Sequence, residues 1–314
     1  MPKDARIYVA GHGGLVGSAI VRALQRQGFT TIITRTRQEL DLRDPRAVRA
    51  FFDRERPEYV YVAAARVGGI LANWNYPVEF LQDNLYIATN VISAAHASRV
   101  KKLLFLGSSC IYPRLAPQPM KEEYLFTGSL EPTNAPYAMA KLAGIELVRA
   151  YRREYGAHFI SALPTNLYGP GDNFDLETSH VLAALIRKMH EAKVRGNNAV
   201  TVWGSGSPRR EFLHVDDLAD ACVLLMESYD HDMPINVGTG EDLSIKDLAE
   251  LVARVVGFTG RIEYDASRPD GMPRKLLDVT RLDALGWRPR IKLSQGIKAT
   301  YDWFTSIGSR SSHV

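Results

Sequence analysis

Tyr137 and Lys141 stand four residues apart in Tyr137-Ala138-Met139-Ala140-Lys141. On a helix that spacing puts both side chains on one face. An ammonium beside a phenol favours tyrosinate and lowers the phenol pKa. Such a tyrosine can exchange a proton with a carbonyl oxygen while hydride moves at the carbon. With 14 tyrosines in the chain the pairing alone is weak evidence, but its surroundings strengthen it. Asn134-Ala135-Pro136 is a helix-start signal, and the helix is expected to run through Tyr155. Upstream, Gly107-Ser108-Ser109 ends a strand-like run, where a serine can hydrogen-bond the same carbonyl oxygen. Cys110 follows directly. A strand end of this kind faces the ligand crevice of a doubly wound sheet, so the thiol could serve as acid or base beside a ketone; the alternative is a buried structural thiol. His180, opening a helix after a turn-rich break, is a second candidate acid or base, the alternative being an ordinary helix-start histidine. Cys222 falls in an apolar helical pattern at 219–226 and is expected in the core.

A dinucleotide site is expected at Gly11-His12-Gly13-Gly14-Leu15-Val16-Gly17. The usual G-x-G-x-x-G does not fit, because Val16 takes its last glycine position. Gly11, Gly14 and Gly17 give G-x-x-G-x-x-G instead. Glycines there let the backbone turn and approach a pyrophosphate, and the helix that follows offers free N–H groups to the anion. At the end of the second strand an acid would hold the ribose 2′-OH of NAD. The chain has Arg35-Thr36-Arg37 there, with no acid before Glu39. Guanidinium suits the 2′-phosphate of NADP, though the two arginines could also be solvated loop charges. Asp41 and Leu42 are expected near the adenine.

The elements that must position these residues follow from periodicity. Short apolar runs at 6–10, 31–34, 59–65, 102–107 and 159–163 read as strands, and amphipathic stretches at 16–27, 45–54 and 78–98 as helices. Apolar strands alternating with helices imply a parallel sheet covered on both faces. The expected fold class is α/β, a doubly wound Rossmann-type sheet with a smaller C-terminal α/β substrate lobe. After the turn-rich Gly169-Pro170-Gly171-Asp172-Asn173 a helix at 181–192 and a strand at 200–203 are expected. Residues 1–168 form the dinucleotide domain in this reading, and 169–314 mainly the substrate lobe, with some segments returning to the first.

Bulk properties exclude other classes. The 314 residues are 46% hydrophobic and 24% charged, and no apolar run is long enough for a membrane span. The start Met1-Pro2-Lys3-Asp4-Ala5-Arg6 has no secretory apolar core, and two cysteines make no disulfide framework. A cytoplasmic protein is expected. The net charge of +4 comes from scattered basic residues rather than a block, so a small phosphorylated ligand is expected, with no nucleic-acid partner. No metal is expected.

Three blocks make the chain recognisable: Gly107-Ser108-Ser109-Cys110-Ile111-Tyr112-Pro113, Glu131-Pro132-Thr133-Asn134 and Pro164-Thr165-Asn166-Leu167-Tyr168-Gly169-Pro170. With Val67-Gly68-Gly69-Ile70, Val202-Trp203-Gly204-Ser205-Gly206, Arg210-Glu211-Phe212-Leu213-His214-Val215-Asp216-Asp217 and Arg274-Lys275-Leu276-Leu277-Asp278-Val279, the sequence resembles the GDP-L-fucose synthase family of extended short-chain dehydrogenases/reductases over nearly its whole length. The cysteine after the serine pair is the telling position, since related dehydratases place an acidic pair there and simple 4-epimerases a small residue.

The resemblance implies NADP(H) as cofactor and a GDP-4-keto-6-deoxy-mannose substrate that is epimerised at C3 and C5 and reduced at C4. Tyr137, Lys141 and Ser108 match residues of the reduction, and Cys110 and His180 those of the epimerisations. Lys188, Trp203, Arg210 and Asp270 match contacts to the GDP-sugar. From the residues alone, Lys188 reads as a solvated helix charge and Trp203 as core, while Arg210 could pair with diphosphate. Cofactor contacts are implied at residues 11–17, Arg37, Asp41, Leu42, Ala63, Lys141, Pro164, Asn166, Leu167 and His180. One departure matters: Gly13 stands where many relatives carry an arginine that would read the 2′-phosphate. A homodimer is implied, through helices containing 87–97 and 142–152. The alternatives are another nucleotide-sugar reductase, epimerase or dehydratase, or a non-catalytic NADP sensor of the same fold.

Overall fold

A computed structural model describes residues 1–176, 178–267 and 270–311. The chain runs through β1 (Ile7–Ala10), α1 (Leu15–Arg26), β2 (Ile32–Ile33), α2 (Pro45–Glu55), β3 (Tyr59–Val62), α3 (Ile70–Asn75), α4 (Pro77–Ala97), β4 (Lys102–Leu106), α5 (Ala135–Tyr155) and β5 (Phe159–Pro164). It continues through β6 (Asn166–Tyr168), α6 (Val181–Arg195), β7 (Ala199–Trp203), β8 (Arg209–Arg210), β9 (Phe212–His214), α7 (Val215–Ser228), β10 (Ile235–Val237) and β11 (Leu243–Ser244). The last elements are α8 (Ile245–Val256), β12 (Arg261–Asp265), β13 (Arg274–Lys275), α9 (Thr280–Ala284) and α10 (Leu293–Ser311).

Six parallel strands form one sheet in the order β10-β5-β4-β3-β1-β2. The α/β doubly wound reading is therefore what the structure shows. Alternation along each strand explains why both faces are covered. Tyr8, Val60, Val62, Leu103 and Phe105 enter one core with residues of α2, α4 and α5. Ile7, Val9, Tyr61, Leu104 and Leu106 enter the other with α1 and α7. Fully burying one such side chain contributes roughly 1.5–3 kcal/mol, so this sandwich fixes the strand ends on which the site is built. The order reverses between β1 and β3, which makes the crevice at their carboxyl ends the place for a ligand.

Local signals set the helices that carry chemistry. In α5, Pro136 lies in the first turn and left-handed Gly156 ends the helix. Gly144 lets α5 press onto β4: a Cβ there would meet the buried Phe105 ring, with Cε1 at 2.7 Å. Gly144→Ala should therefore destabilise the protein by ~1–3 kcal/mol through overpacking. Urea denaturation checks this, and an unchanged midpoint would contradict it.

After β5 the chain builds three small sheets, β11-β8-β13, β12-β7 and β6-β9. They pack with α6, α8 and α10 around a third core that includes Leu185, Ile186, Met189, Leu248, Val252 and Ile297. β10 returns to the edge of the large sheet. Among the described residues no helix is long and apolar enough to cross a membrane.

Candidate active site

The glycine turn closes tightly where β1 meets α1. Gly11 is left-handed at φ 85°, and a Cβ on it would lie 2.6 Å from the Ala64 nitrogen. A Cβ on Gly17 would strike the Gly11 carbonyl. By contrast, the Gly13 Cβ position meets nothing within 4 Å. Gly14 is the N-cap of α1 and brings no side-chain cap. The first intrahelical bond runs from the Ser18 N–H to the Gly14 carbonyl at 3.0 Å, leaving the first-turn N–H groups directed at the crevice. The donor set fits a dinucleotide pyrophosphate. His12 lies on the same turn with its Nδ1 buried and unpartnered.

Around that turn Ala63 extends β3, its N–H donating to the Ala10 carbonyl at 3.0 Å. Pro164 closes β5, and Asn166 and Leu167 open β6 beyond it. Leu42 is buried. Asp41 is forked by the Arg43 guanidinium, whose hydrogen bonds hold its carboxyl down at about 2.

The two arginines after β2 part ways. Arg35 is spent on structure: its Nη2 donates to Glu55 Oε1 at 2.7 Å, and its guanidinium sits 5.6 Å from the Phe51 ring centroid. That corrects the reading of Arg35 as a phosphate reader. Arg37 is exposed beside it.

At the carboxyl end of β4 the two serines diverge. Ser109 is buried, while Ser108 and Cys110 face the cleft. Ser108 Oγ accepts the Cys110 N–H at 3.2 Å, fixing the thiol on a short 3₁₀ turn. From α5, Tyr137 comes within range of both: burial pushes its phenol well up, the Cys110 charge adds to that, and a Ser108 hydrogen bond opposes them. Its ring lies edge-on to Phe80 at 6.4 Å.

Lys141 does share the helix face, but it does not lower the phenol pKa as the sequence suggests. Its Nζ donates to the Leu106 carbonyl at 2.7 Å and lies 4.9 Å from the Phe105 ring, and burial brings it down to about 8. Desolvation and the Cys110 charge outweigh the Ser108 hydrogen bond, so Tyr137 is held protonated.

His180 is the N-cap residue of α6, yet its side chain makes no cap hydrogen bond. The preceding loop is fixed by the Gly69 N–H, which donates to the Thr178 carbonyl at 2.9 Å. The residue is exposed at the cleft, and desolvation by the surrounding protein and the Lys275 charge both hold its pKa below the usual imidazole value. It is neutral at pH 7.

The substrate lobe supplies the rest. Lys188 Nζ donates to the Thr201 carbonyl at 3.2 Å and lies 5.0 Å from the Trp203 ring. Trp203 is 48% exposed, so it is a surface platform and not core. Asp270 accepts from the Ser205 N–H at 2.7 Å and the Ser205 hydroxyl at 2.8 Å, bracing the turn after Trp203. Arg210, whose Nη1 donates to the Arg209 carbonyl at 2.9 Å, lies within the field of both Cys110 and Asp270.

One residue escaped the sequence reading. Lys275 Nζ donates to Cys110 Sγ at 3.2 Å. Spacing gives no hint of it, because the partners are 165 positions apart; only the parallel register Lys275↔Arg210 of β13 on β8 brings it in. Cys222, as expected, is fully buried.

A protonated phenol, a hydroxyl, a thiol next to a cation and a neutral imidazole thus surround one cleft beside a dinucleotide turn. Such a set can move protons on both sides of a carbonyl and receive hydride at it.

Known proteins fit this geometry. Residues 7–238 match the NAD dependent epimerase/dehydratase family. The chain is 58% identical over 302 residues to GDP-L-fucose synthase 1 of Arabidopsis thaliana, covering 96% of this chain and 94% of that protein. Among solved structures it is similar to a GDP-6-OMe-4-keto-L-xylo-heptose reductase from C. jejuni, with TM-score 0.94 and 39% identity over 98% of this chain and 99% of that one. It is also similar to a GDP-L-fucose synthetase from Naegleria fowleri bound to NADP, with TM-score 0.92 and 30% identity over 98% and 96% of the two chains. The chain belongs to the NAD dependent epimerase/dehydratase family, on its GDP-L-fucose synthase branch.

Proposed function

We propose that this protein converts GDP-4-keto-6-deoxy-D-mannose to GDP-L-fucose, by 3,5-epimerisation followed by NADPH-dependent 4-reduction. The observation that carries the reading is the juxtaposition of Cys110 with Ser108 and Tyr137 at one strand end, where a plain reductase needs no thiol. The 58% identity to a GDP-L-fucose synthase supports it. An NADP-bound relative supports the cofactor. Residues 1–168 would hold the dinucleotide and 169–314 mainly the sugar nucleotide.

A 4-ketone acidifies the hydrogens on C3 and C5. Cys110 removes each as base, while Tyr137 and Ser108 stabilise the oxygen charge of the resulting enolate. His180 returns a proton to the opposite face. Its imidazole is neutral at rest, and the negative charges of a bound diphosphate would raise its pKa towards the protonated form. Arg210 pairs with that diphosphate, and Lys188 and Trp203 hold the outer end of the nucleotide. A bound NADPH would supply hydride for C4, and Tyr137 supplies the proton to the C4 oxygen. Reduction removes the ketone and with it the acidity, so epimerisation comes first.

We place the protein in the cytoplasm, as its two free cysteines fit. We propose a homodimer paired through α4 and α5, which leave Tyr86, Met139 and Tyr155 exposed.

The substrate class is tested by a panel of GDP-, UDP- and dTDP-linked 4-keto-6-deoxy sugars with NADPH. Turnover of the GDP-sugar alone is expected. Preference for another nucleotide would contradict the assignment, and binding without turnover would favour a sensor. Cofactor preference is tested at Arg37, since Arg35 is committed to Glu55 and position 13 is glycine. A charge-assisted contact contributes roughly 1.5–3 kcal/mol, so Arg37→Ala should weaken NADPH about ten- to hundredfold more than NADH. Equal losses, measured by titration of both cofactors, would mean that Arg37 does not read the 2′-phosphate.

A further inference from the structure

Lys275 is nearly buried, at 9% exposure. A buried ammonium is costly unless an anion or several acceptors meet it. Its cross-strand neighbour is another cation, Arg210. Two positive side chains placed side by side repel, and an anion lying against both relieves the cost. Cys110 Sγ occupies that place, 3.2 Å from Lys275 Nζ and within the field of Arg210.

The strand that carries Lys275 is held from both sides. The Arg209 N–H donates to the Pro273 carbonyl at 2.8 Å. The Leu276 N–H donates to Gln118 Oε1 at 2.8 Å, and the Leu277 N–H to the buried Glu211 carboxylate at 3.0 Å. The Met120 N–H donates to the Leu276 carbonyl at 2.8 Å, and the Asp278 N–H to the Met120 carbonyl at 2.9 Å. Gln118 and Met120 belong to the segment that follows Cys110, so the ammonium is fixed relative to the thiol.

We propose that Lys275 is the positioning residue of the thiol: its ammonium, delivered on β13, holds Cys110 as thiolate beside Ser108 and Tyr137. The charged and titratable groups facing the thiol are Lys275 from β13, Arg210 from β8 and Tyr137 from α5, with the Ser108 hydroxyl on its own turn. Burial alone would push the thiol up; the Lys275 charge, the Ser108 hydrogen bond and the Arg210 charge outweigh it and bring it below the ordinary value. The catalytic consequence rests on Cys110 being the epimerisation base, but the ion pair can be tested without substrate.

The test is the pH dependence of Cys110 alkylation by iodoacetamide, followed by peptide mass spectrometry. The thiolate is the reacting form, and a free cysteine titrates near ~8.5. In the parent protein the inflection should lie below that value. Lys275→Met should move it up, slowing alkylation at pH 7 by about tenfold, and Lys275→Arg should restore most of the rate. Cys222, fully buried, should stay unreactive in every variant whose fold is intact. A parent inflection at or above that of a free cysteine would overturn the proposal whatever the variants do. So would an unchanged inflection in Lys275→Met with Cys222 protected, or a Lys275→Arg protein that behaves like Lys275→Met. A lowered thiol pKa together with full C3 and C5 exchange in Cys110→Ser would instead sink the reading of Cys110 as base and leave the ion pair standing.

Discussion

Tyr137→Phe should lower the rate of NADPH oxidation by ~10²–10⁴-fold, the usual contribution of a positioned general acid. The substitution keeps the ring against Phe80 and deletes only the hydroxyl. Burial and the neighbouring Cys110 charge hold that hydroxyl protonated, which is the state needed to deliver a proton to the C4 oxygen. For the same reason the acid step should not fade as pH rises through the neutral range, since the raised pKa leaves the phenol intact there. NADPH affinity should change little, because no phosphate contact is removed. Stopped-flow measurement of NADPH absorbance checks both points. Turnover within a few-fold of the parent would show that the proton comes from elsewhere.

Cys110→Ser should cut base-catalysed exchange at C3 and C5 by a comparable ~10²–10⁴-fold. Serine nearly matches cysteine in size, but its hydroxyl is a far weaker acid than a thiol near ~8.5. Lys275, which donates to the sulfur, can lower a thiol into the useful range but not a hydroxyl. NADPH binding and some capacity to reduce a ketone should remain. The exchange is read by NMR of the keto-sugar in D₂O with oxidised cofactor, so that reduction cannot drain the intermediate. Tyr137→Phe should still exchange, at a reduced rate. Parent-rate exchange at both carbons in Cys110→Ser would leave Cys110 as a packing residue.

Local signals made much of this legible from the residues. Gly11 and Gly17 announce a tight turn because a Cβ at either would collide with neighbouring backbone. Pro136 at the start of α5 and Gly156 at its end bracket the helix that carries Tyr137 and Lys141. The strand runs 102–107 and 159–163 are apolar without alternation because both of their faces are covered.

What stayed hidden depends on contacts between distant segments. Arg35 reads as a phosphate ligand until Glu55, twenty residues on, is seen to claim it. Trp203 reads as core by residue type, but β7 pairs with β12 in a two-stranded sheet and leaves the ring at the surface. The Tyr137 phenol was expected to be acidified, since spacing shows the lysine and not the Leu106 carbonyl that holds it. Lys275 could not be linked to Cys110 at all without the register of a two-residue strand.

The claim that one cleft performs both epimerisation and reduction is tested most directly by running the reaction to completion in D₂O with GDP-4-keto-6-deoxy-D-mannose and unlabelled NADPH, and reading the product by NMR. The account requires GDP-L-fucose with deuterium at C3 and C5, taken from solvent through Cys110 and His180, and protium at C4, taken from the cofactor. A reduced sugar that keeps its original configuration and its protium at C3 and C5 would contradict it.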